Sequence, residues 1–157
     1  MIVVYWASRR SEANCNLDRG KVYRGFVRTG RGAAEADMST PGSYEGLQRL
    51  TGLSVIPGTL NIGLTEPFDL SLLKYVAFAE LGWAIDLSEH GIEYDGEIGA
   101  YYGPVTVADT YPACVIFFTW ARNIHKDAEL ISPHHLRNTL NLRDGDMVEF
   151  RLIKCDL

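Results

Sequence analysis

Apolar and β-branched residues recur along this chain in short runs, each bounded by Gly, Pro, Asp or Ser. Runs of this kind, rich in Val, Ile and aromatic residues, are typical of β-strands. They occupy residues 2–7, 21–29, 58–64, 75–87, 98–108, 113–120 and 147–154. The pattern therefore predicts a mainly β fold.

Helical signals are few and short. Residues 43–50 begin with Ser43, a residue type that caps helices, and residues 134–140 follow Pro133, which a first helical turn tolerates. One further turn is predicted over residues 69–73, a polar connection over residues 8–19 and a hairpin loop over residues 88–97. No repeat, low-complexity tract or linker divides the chain. We therefore predict one domain over residues 1–157, with an N-terminal strand or extension over residues 1–20 and the main β domain over residues 21–154.

The segment over residues 57–61, Pro-Gly-Thr-Leu-Asn, places two short oxygen-bearing side chains two positions apart in an apolar run. In an extended chain, Thr59 and Asn61 point to one face and Leu60 to the other. A hydroxyl and an amide carbonyl are hard, neutral ligands that suit Mg²⁺, which takes further ligands from water and substrate phosphates. The segment therefore predicts a magnesium site, and a solvated strand edge is the alternative interpretation.

Two further segments carry chemical signals. Residues 25–34 form a strand signal that runs into a loop of small residues, where backbone N–H groups can approach an anion closely. Residues 132–150 predict a short helix, a turn and a closing strand.

In order and spacing, the three segments resemble the archaeal-type CTP-dependent riboflavin kinases, which phosphorylate riboflavin to FMN. The resemblance covers residues 25–152. It implies a small cradle-loop β-barrel, as in riboflavin kinase, with a few short helices. It also implies CTP and riboflavin as substrates and Mg²⁺ as cofactor. The acidic charge and the lack of an apolar run of bilayer length predict no nucleic-acid or membrane partner.

The resemblance also assigns roles to residues. The magnesium-binding threonine and asparagine correspond to Thr59 and Asn61, and a flavin-contacting glutamate corresponds to Glu129. The glycine-rich nucleotide loop corresponds to Gly30, Arg31, Gly32, Ala33, Ala34 and Glu35. A second stretch that contacts the nucleotide corresponds to His134, His135, Leu136 and Arg137.

This sequence departs from the family pattern in the nucleotide loop. The third glycine of the family loop is Ala34 here, and the basic residue after it is Glu35. A carboxylate beside a triphosphate repels it. Arg28 and Arg31 could compensate, because a guanidinium group suits phosphate oxygens.

The flavin side departs as well. A flavin-contacting threonine expected eight residues before Glu129 is Ala121, although Thr119 lies close to that position. A non-catalytic relative that binds a nucleotide or a flavin-like ligand is therefore a second hypothesis.

Glu129 lies in an apolar, strand-like run between Ala128 and Leu130. A carboxylate there costs energy unless it is paired or faces a cavity. We hypothesise that Glu129 orients or deprotonates the riboflavin hydroxyl that attacks the phosphate, as a general base within hydrogen-bond reach. Aromatic residues could stack on a flavin, but in strands they more often fill a core; the candidates are Trp83, Tyr101, Tyr102 and Trp120.

Charge and cysteine content narrow the alternatives. The formal net charge is −5 and the pI is near 5.3, which disfavours a broad nucleic-acid surface. This argues against a third hypothesis, a β-barrel DNA-binding regulator, which residues 133–150 also resemble. The three cysteines, Cys15, Cys114 and Cys155, form no C-x-x-C pair. They therefore indicate neither a disulfide framework nor a zinc ribbon, and the expected location is a reducing cytoplasm. No apolar run is long enough to cross a bilayer.

Overall fold

The computed structural model describes residues 21–30, 43–83 and 85–153. Seven strands and two helices lie in these ranges. The strands are β1 (Val22–Arg28), β2 (Leu60–Leu64), β3 (Lys74–Ala77), β4 (Gly99–Val107), β5 (Tyr111–Phe118), β6 (Asp127–Ile131) and β7 (Met147–Leu152). The helices are α1 (Ser43–Thr51) and α2 (Leu136–Thr139). Short 3-10 turns occupy Leu70–Leu72, Phe78–Leu81 and Leu87–His90.

Six of the strands close into an antiparallel barrel in the order β4, β5, β6, β2, β1 and β7. The barrel closes because β7 pairs with the second half of β4, with Val105 opposite Leu152. Strand β3 pairs only with the first half of β4, with Tyr75 opposite Tyr101. The predicted mainly β fold, a small β-barrel with a few short helices, is confirmed.

The barrel interior follows the period-2 alternation of its strands. In β1, Tyr23 and Val27 are buried, whereas Arg24 and Phe26, which alternate with them, are exposed. Aromatic rings fill one region of the interior, where Phe68 lies 4.4 Å from Tyr23 and 4.9 Å from Phe117 between ring centroids. The interior is therefore occupied by side chains, and ligands must bind at its ends or on its outer face.

A second apolar cluster covers part of the outer face. Leu47 of α1 packs there with Ile116 of β5 and Ile131 of β6, together with Phe78 and Trp83, whose rings stack 4.5 Å apart. Burial on both faces explains why β5 is continuously apolar instead of alternating.

The aromatic residues considered for flavin stacking lie in these two cores. Trp120 and Tyr102 pack against the outer cluster, and Tyr101 packs against the barrel interior. Core packing accounts for these contacts.

The predicted strand over residues 75–87 was wrong beyond Ala77. A 3-10 turn follows directly, and Gly82 then adopts a left-handed conformation at φ 66° that ends it. The apolar residues Phe78, Trp83 and Leu87 are buried, but they lie in or next to 3-10 turns and not in a strand. An apolar run alone does not distinguish a buried strand from a series of buried turns.

The other elements differ from prediction mainly in length. Helix α1 and the turn near residues 69–73 are present, whereas α2 has four residues instead of the predicted seven. Strand β6 was seen only as a strand-like run around Glu129. The predicted strand over residues 2–7 and connection over residues 8–19 lie outside the described residues. Across the described ranges, no helix has the length and apolar character needed to cross a membrane.

Candidate functional site

A cleft of about 330 Å³ opens where the end of β1, the start of β2, the end of β6 and the start of α2 meet. Hydrogen bonding between strands brings these segments together. Asn61 of β2 pairs with Arg28 of β1 on one side and with Glu129 of β6 on the other. The cleft is lined by Arg28, Thr29, Gly30, Ile56, Pro57, Gly58, Thr59, Leu60, Asn61, Leu130, Ser132, His134, His135, Leu136 and Arg137.

The predicted magnesium ligands Thr59 and Asn61 both line this cleft. Leu60 between them is 5% exposed and belongs to the barrel core, so the expected alternation at this segment is confirmed. The Thr59 hydroxyl donates a hydrogen bond to Oε1 of Glu129 at 2.6 Å. Two residues assigned separately to the metal and to the flavin are therefore in direct contact.

The donor set fits a hard divalent cation. Thr59 and Asn61 offer a neutral hydroxyl and amide oxygen in one cleft, and Mg²⁺ is commonly held by few protein groups together with water and phosphate oxygens. In the described ranges, no group of three His, Cys, Asp or Glu side chains could hold a metal ion. The soft or histidine-rich ligand sets that transition metals prefer are therefore missing from this part of the chain.

Arg137 is fixed at the rim of the cleft by hydrogen bonds to two residues. Its guanidinium group donates to Oδ1 of Asp144 at 3.0 Å and to the backbone carbonyl of Arg28 at 3.4 Å. Thr29 also donates to Asp144, through the other carboxylate oxygen. These bonds from Thr29 and Arg137 hold the pKa of Asp144 below its usual range.

The same rim is held by backbone bonds between β1 and the turn before β7. The Val27 N–H donates to the Asp146 carbonyl, and the Gly145 N–H donates to the Val27 carbonyl, both at 2.8 Å. The end of β1, from which the predicted nucleotide loop continues, is therefore fixed to the segment that carries Asp144.

The two predicted histidines have structural contacts at the cleft. Nδ1 of His135 accepts from the Asn138 N–H at 3.3 Å and caps α2. The ring of His134 lies edge-on to that of Tyr111. The backbone N–H of His134 donates to the hydroxyl of Ser132, a residue that is 3% exposed. Both histidines keep exposed imidazole rings at the cleft.

The charge of the lining suits an anion. Among the lining residues given above, two are arginines, two are histidines and none is acidic, although the chain as a whole carries −5. Two carboxylates outside this set bond the arginines: Asp127 bonds Arg28 at 2.7 Å, and Asp144 bonds Arg137. A third, Glu129, accepts from the lining residue Thr59.

The remaining predicted site residues lie elsewhere. Thr119 follows β5, where its hydroxyl donates to the Glu97 carbonyl and accepts from the Gly99 N–H, and Ala121 lies in the same connection. Neither residue lines the cleft. Of the predicted nucleotide loop, Gly30 lines the cleft, and Arg31, Gly32, Ala33, Ala34 and Glu35 lie outside the described residues.

Sequence reasoning missed Asp144 and Ser132 as parts of the site. The sequence pattern of residues 132–150 predicts a short helix, a turn and a closing strand, and gives neither residue a role in the site. Each acts by holding a neighbour in place, and such contacts depend on which strands meet.

Comparison with known proteins gives a family match and several relatives. The family model described as "CTP-dep_RFKase: Domain of unknown function DUF120" matches residues 27–152. A riboflavin kinase of Sulfurisphaera tokodaii is 30% identical over 132 residues, which cover 82% of this chain and 93% of the relative. A riboflavin kinase of Sulfolobus acidocaldarius is 28% identical over 127 residues, covering 80% and 77%. One of Methanocella arvoryzae is 32% identical over 137 residues, covering 83% and 56%.

Proposed function

The chain belongs to the CTP-dependent riboflavin kinase family, and we propose that it transfers the terminal phosphoryl group of CTP to riboflavin, giving FMN and CDP. One observation carries this proposal beyond family membership. A single cleft gathers Gly30, Thr59, Asn61 and Arg137, and Glu129 is bonded to its wall through Thr59. The family match also favours this function over the DNA-binding regulator, and the cysteine pattern favours a reducing cytoplasm as the location.

The nucleotide binds along the rim formed by Gly30 and α2. Arg137 is held at this rim by Asp144 and by the Arg28 carbonyl, so its guanidinium group is oriented before a phosphate arrives. Arg28 also lines the cleft, and its guanidinium group bonds Asp127 at 2.7 Å and lies over Gly63 of β2. Phosphoryl transfer needs positioning and charge stabilisation more than a protein nucleophile, and this lining provides both.

Phosphotransferases of this kind use a divalent cation, and we assign Mg²⁺ to Thr59 and Asn61. When bound there, the cation neutralises charge on the phosphate oxygens. The two side chains contribute neutral oxygens, so most of the negative charge that would balance the cation comes from the nucleotide, beside that of Glu129. This charge balance makes nucleotide affinity dependent on the cation.

Glu129 lies at the acceptor end of the reaction. The riboflavin hydroxyl oxygen forms a bond to the terminal phosphorus, the bond from that phosphorus to the bridging oxygen breaks, and CDP leaves. The hydroxyl proton passes to the Glu129 carboxylate, which is half-buried on β6. Thr119 and Ala121 remain candidates for contact with the flavin ring.

A binding-only relative is the second candidate function. The sequence observations that favour it are Ala34 and Glu35 in the nucleotide loop, together with Ala121 on the flavin side. Such a protein would bind CTP or riboflavin without forming FMN.

The proposal is tested by incubating the purified chain with riboflavin, Mg²⁺ and either CTP or ATP, and following FMN by chromatography. We expect FMN with CTP, and its loss when Mg²⁺ is removed by a chelator. Binding of CTP without FMN under any condition would favour the second candidate and overturn the kinase assignment.

A further inference from the structure

The hydrogen bond between Thr59 and Glu129 connects the two ends of the proposed reaction. Thr59 precedes β2 and Glu129 lies on β6, seventy positions later in the chain, yet Oγ1 of Thr59 lies 2.6 Å from Oε1 of Glu129. The backbone of Glu129 also lies opposite Asn61 in the β2–β6 ladder. Both candidate metal ligands are therefore neighbours of the same glutamate.

This hydrogen bond determines which way the proton and the lone pairs of the Thr59 hydroxyl point. A threonine hydroxyl carries one proton and two lone pairs, and it binds a cation only through a lone pair. Its proton must therefore point away from the cation, toward an acceptor. In this structure the acceptor is the Glu129 carboxylate.

The acceptor also affects the strength of the ligand. A hydrogen bond from a hydroxyl to an ionised carboxylate is stronger than one between neutral groups and increases the electron density on the donor oxygen. Residues that orient metal ligands in this way commonly change metal affinity 10- to 100-fold when they are replaced. A Thr59 hydroxyl that rotated freely would have neither a lone pair fixed toward the cation nor the added electron density on its oxygen.

We propose that Glu129 is a positioning residue for the divalent cation, in addition to its role toward the acceptor, because it takes the Thr59 proton and directs a lone pair of Thr59 to the metal. This inference rests on the proposed function, since it presumes a nucleotide-bound cation in the cleft. It also has a consequence for how tightly the two substrates bind. Because coupling between sites is reciprocal, riboflavin contact at Glu129 and cation-dependent nucleotide binding must change each other's affinity.

Two substitutions separate positioning from charge. Glu129→Gln and Glu129→Met both remove the negative charge, and both side chains have nearly the length of glutamate. Only glutamine keeps an oxygen that can accept the Thr59 proton. Loss of charge alone acts equally in both variants and reduces repulsion of the triphosphate, which tightens CTP binding.

The experiment is calorimetric titration of the full chain with CTP, with Mg²⁺ and with a chelator, in the absence of riboflavin. We expect Glu129→Met to lose roughly 10- to 100-fold in Mg²⁺-dependent affinity, Glu129→Gln to retain most of it, and neither to lose the affinity seen with chelator. In a Thr59→Val background, Glu129→Met should have no further effect on the magnesium dependence. Near-ultraviolet circular dichroism confirms that each variant is folded.

Equal magnesium dependence in the glutamine and methionine variants would overturn the positioning role. A wild-type chain that binds CTP no more tightly with Mg²⁺ than without would overturn it too, by removing the cation site. Formation of FMN by the wild-type chain is measured separately, so failure of the positioning role is distinguished from failure of the kinase assignment.

Discussion

Gly30 lies so close to the Asn61 amide that any side chain added at this position would displace the amide. A Cβ atom added to Gly30 would overlap Nδ2 and Cγ of Asn61. The strand pairing that places Arg28 opposite Asn61 brings the first residue of the predicted nucleotide loop over the second candidate metal ligand. The glycine is therefore needed for close approach within the site.

Replacing Gly30 with alanine should damage the site more than the fold. The added methyl group displaces the Asn61 amide, and we expect Mg²⁺-dependent CTP affinity to fall roughly tenfold, measured by calorimetry. Gly46 in α1 provides the matched control, because its added Cβ would make only an ordinary contact with Leu81 at 3.6 Å. Gly46→Ala should raise the free energy of unfolding by about 0.5–1 kcal/mol and leave CTP affinity unchanged. Equal CTP affinity in Gly30→Ala and wild type would show that Asn61 is not a ligand.

Removal of both candidate ligands should abolish the magnesium dependence of nucleotide binding. Thr59→Ala combined with Asn61→Ala deletes two half-buried polar groups at the cleft and leaves the core residues Leu60 and Ile62 intact. The thermal midpoint should remain close to that of wild type. If calorimetry gives unchanged affinity for CTP with Mg²⁺, the metal assignment must be abandoned.

The bonds around Asp144 predict a pH dependence of stability. Hydrogen bonds from Thr29 and Arg137 lower the pKa of Asp144 from its ordinary value of 3.8. In the window just below 3.8, the unfolded chain therefore binds more protons here than the folded chain, and stability falls as the pH falls. This contribution is fully present above the ordinary value. The side chain of the Asp144→Asn variant cannot ionise. As the pH falls from 5 to below 3.8, the free energy of unfolding of this variant, measured with urea, should therefore decrease less than that of wild type. Parallel curves would show that these bonds do not form in solution.

Glu35, in the predicted nucleotide loop, predicts a gain in CTP affinity when its charge is reversed. A single charge pair near 4 Å in water is worth about 1 kcal/mol, or roughly fivefold in affinity. Glu35→Lys should therefore tighten CTP binding by at least that factor, and the gain should shrink as salt is added. The uncharged variant Glu35→Gln should give an intermediate affinity. Unchanged or weaker binding in the lysine variant would mean that Glu35 does not oppose the triphosphate.

Local features of the site were predictable from sequence because they depend on neighbouring residues alone. The alternation of Thr59, Leu60 and Asn61 follows from the geometry of an extended chain, and Pro57 and Gly58 mark where that segment begins. The mainly β class followed from the short β-branched runs, and the barrel followed from the family resemblance. These features needed no knowledge of which strands pair.

Contacts between distant segments could not be predicted in the same way. The bond between Thr59 and Glu129 exists because β2 pairs with β6, and the bond between Thr29 and Asp144 depends on the turn before β7 reaching the end of β1. Strand pairing of this kind is decided by the packing of the whole barrel. The end of β3 at Ala77 was missed for a related reason, since the apolar residues after it are buried by the outer cluster.

The central claim is a metal-assisted phosphoryl transfer at this cleft, and transfer of label from CTP tests it most directly. The wild-type chain is incubated with riboflavin, Mg²⁺ and CTP labelled in its γ-phosphate, beside the Thr59→Ala, Asn61→Ala double variant, and the label in FMN is measured over time. The account predicts labelled FMN from the wild-type chain, none with chelator, and almost none from the double variant. Absence of label in FMN from the wild-type chain would contradict it, as would equal labelling by the double variant.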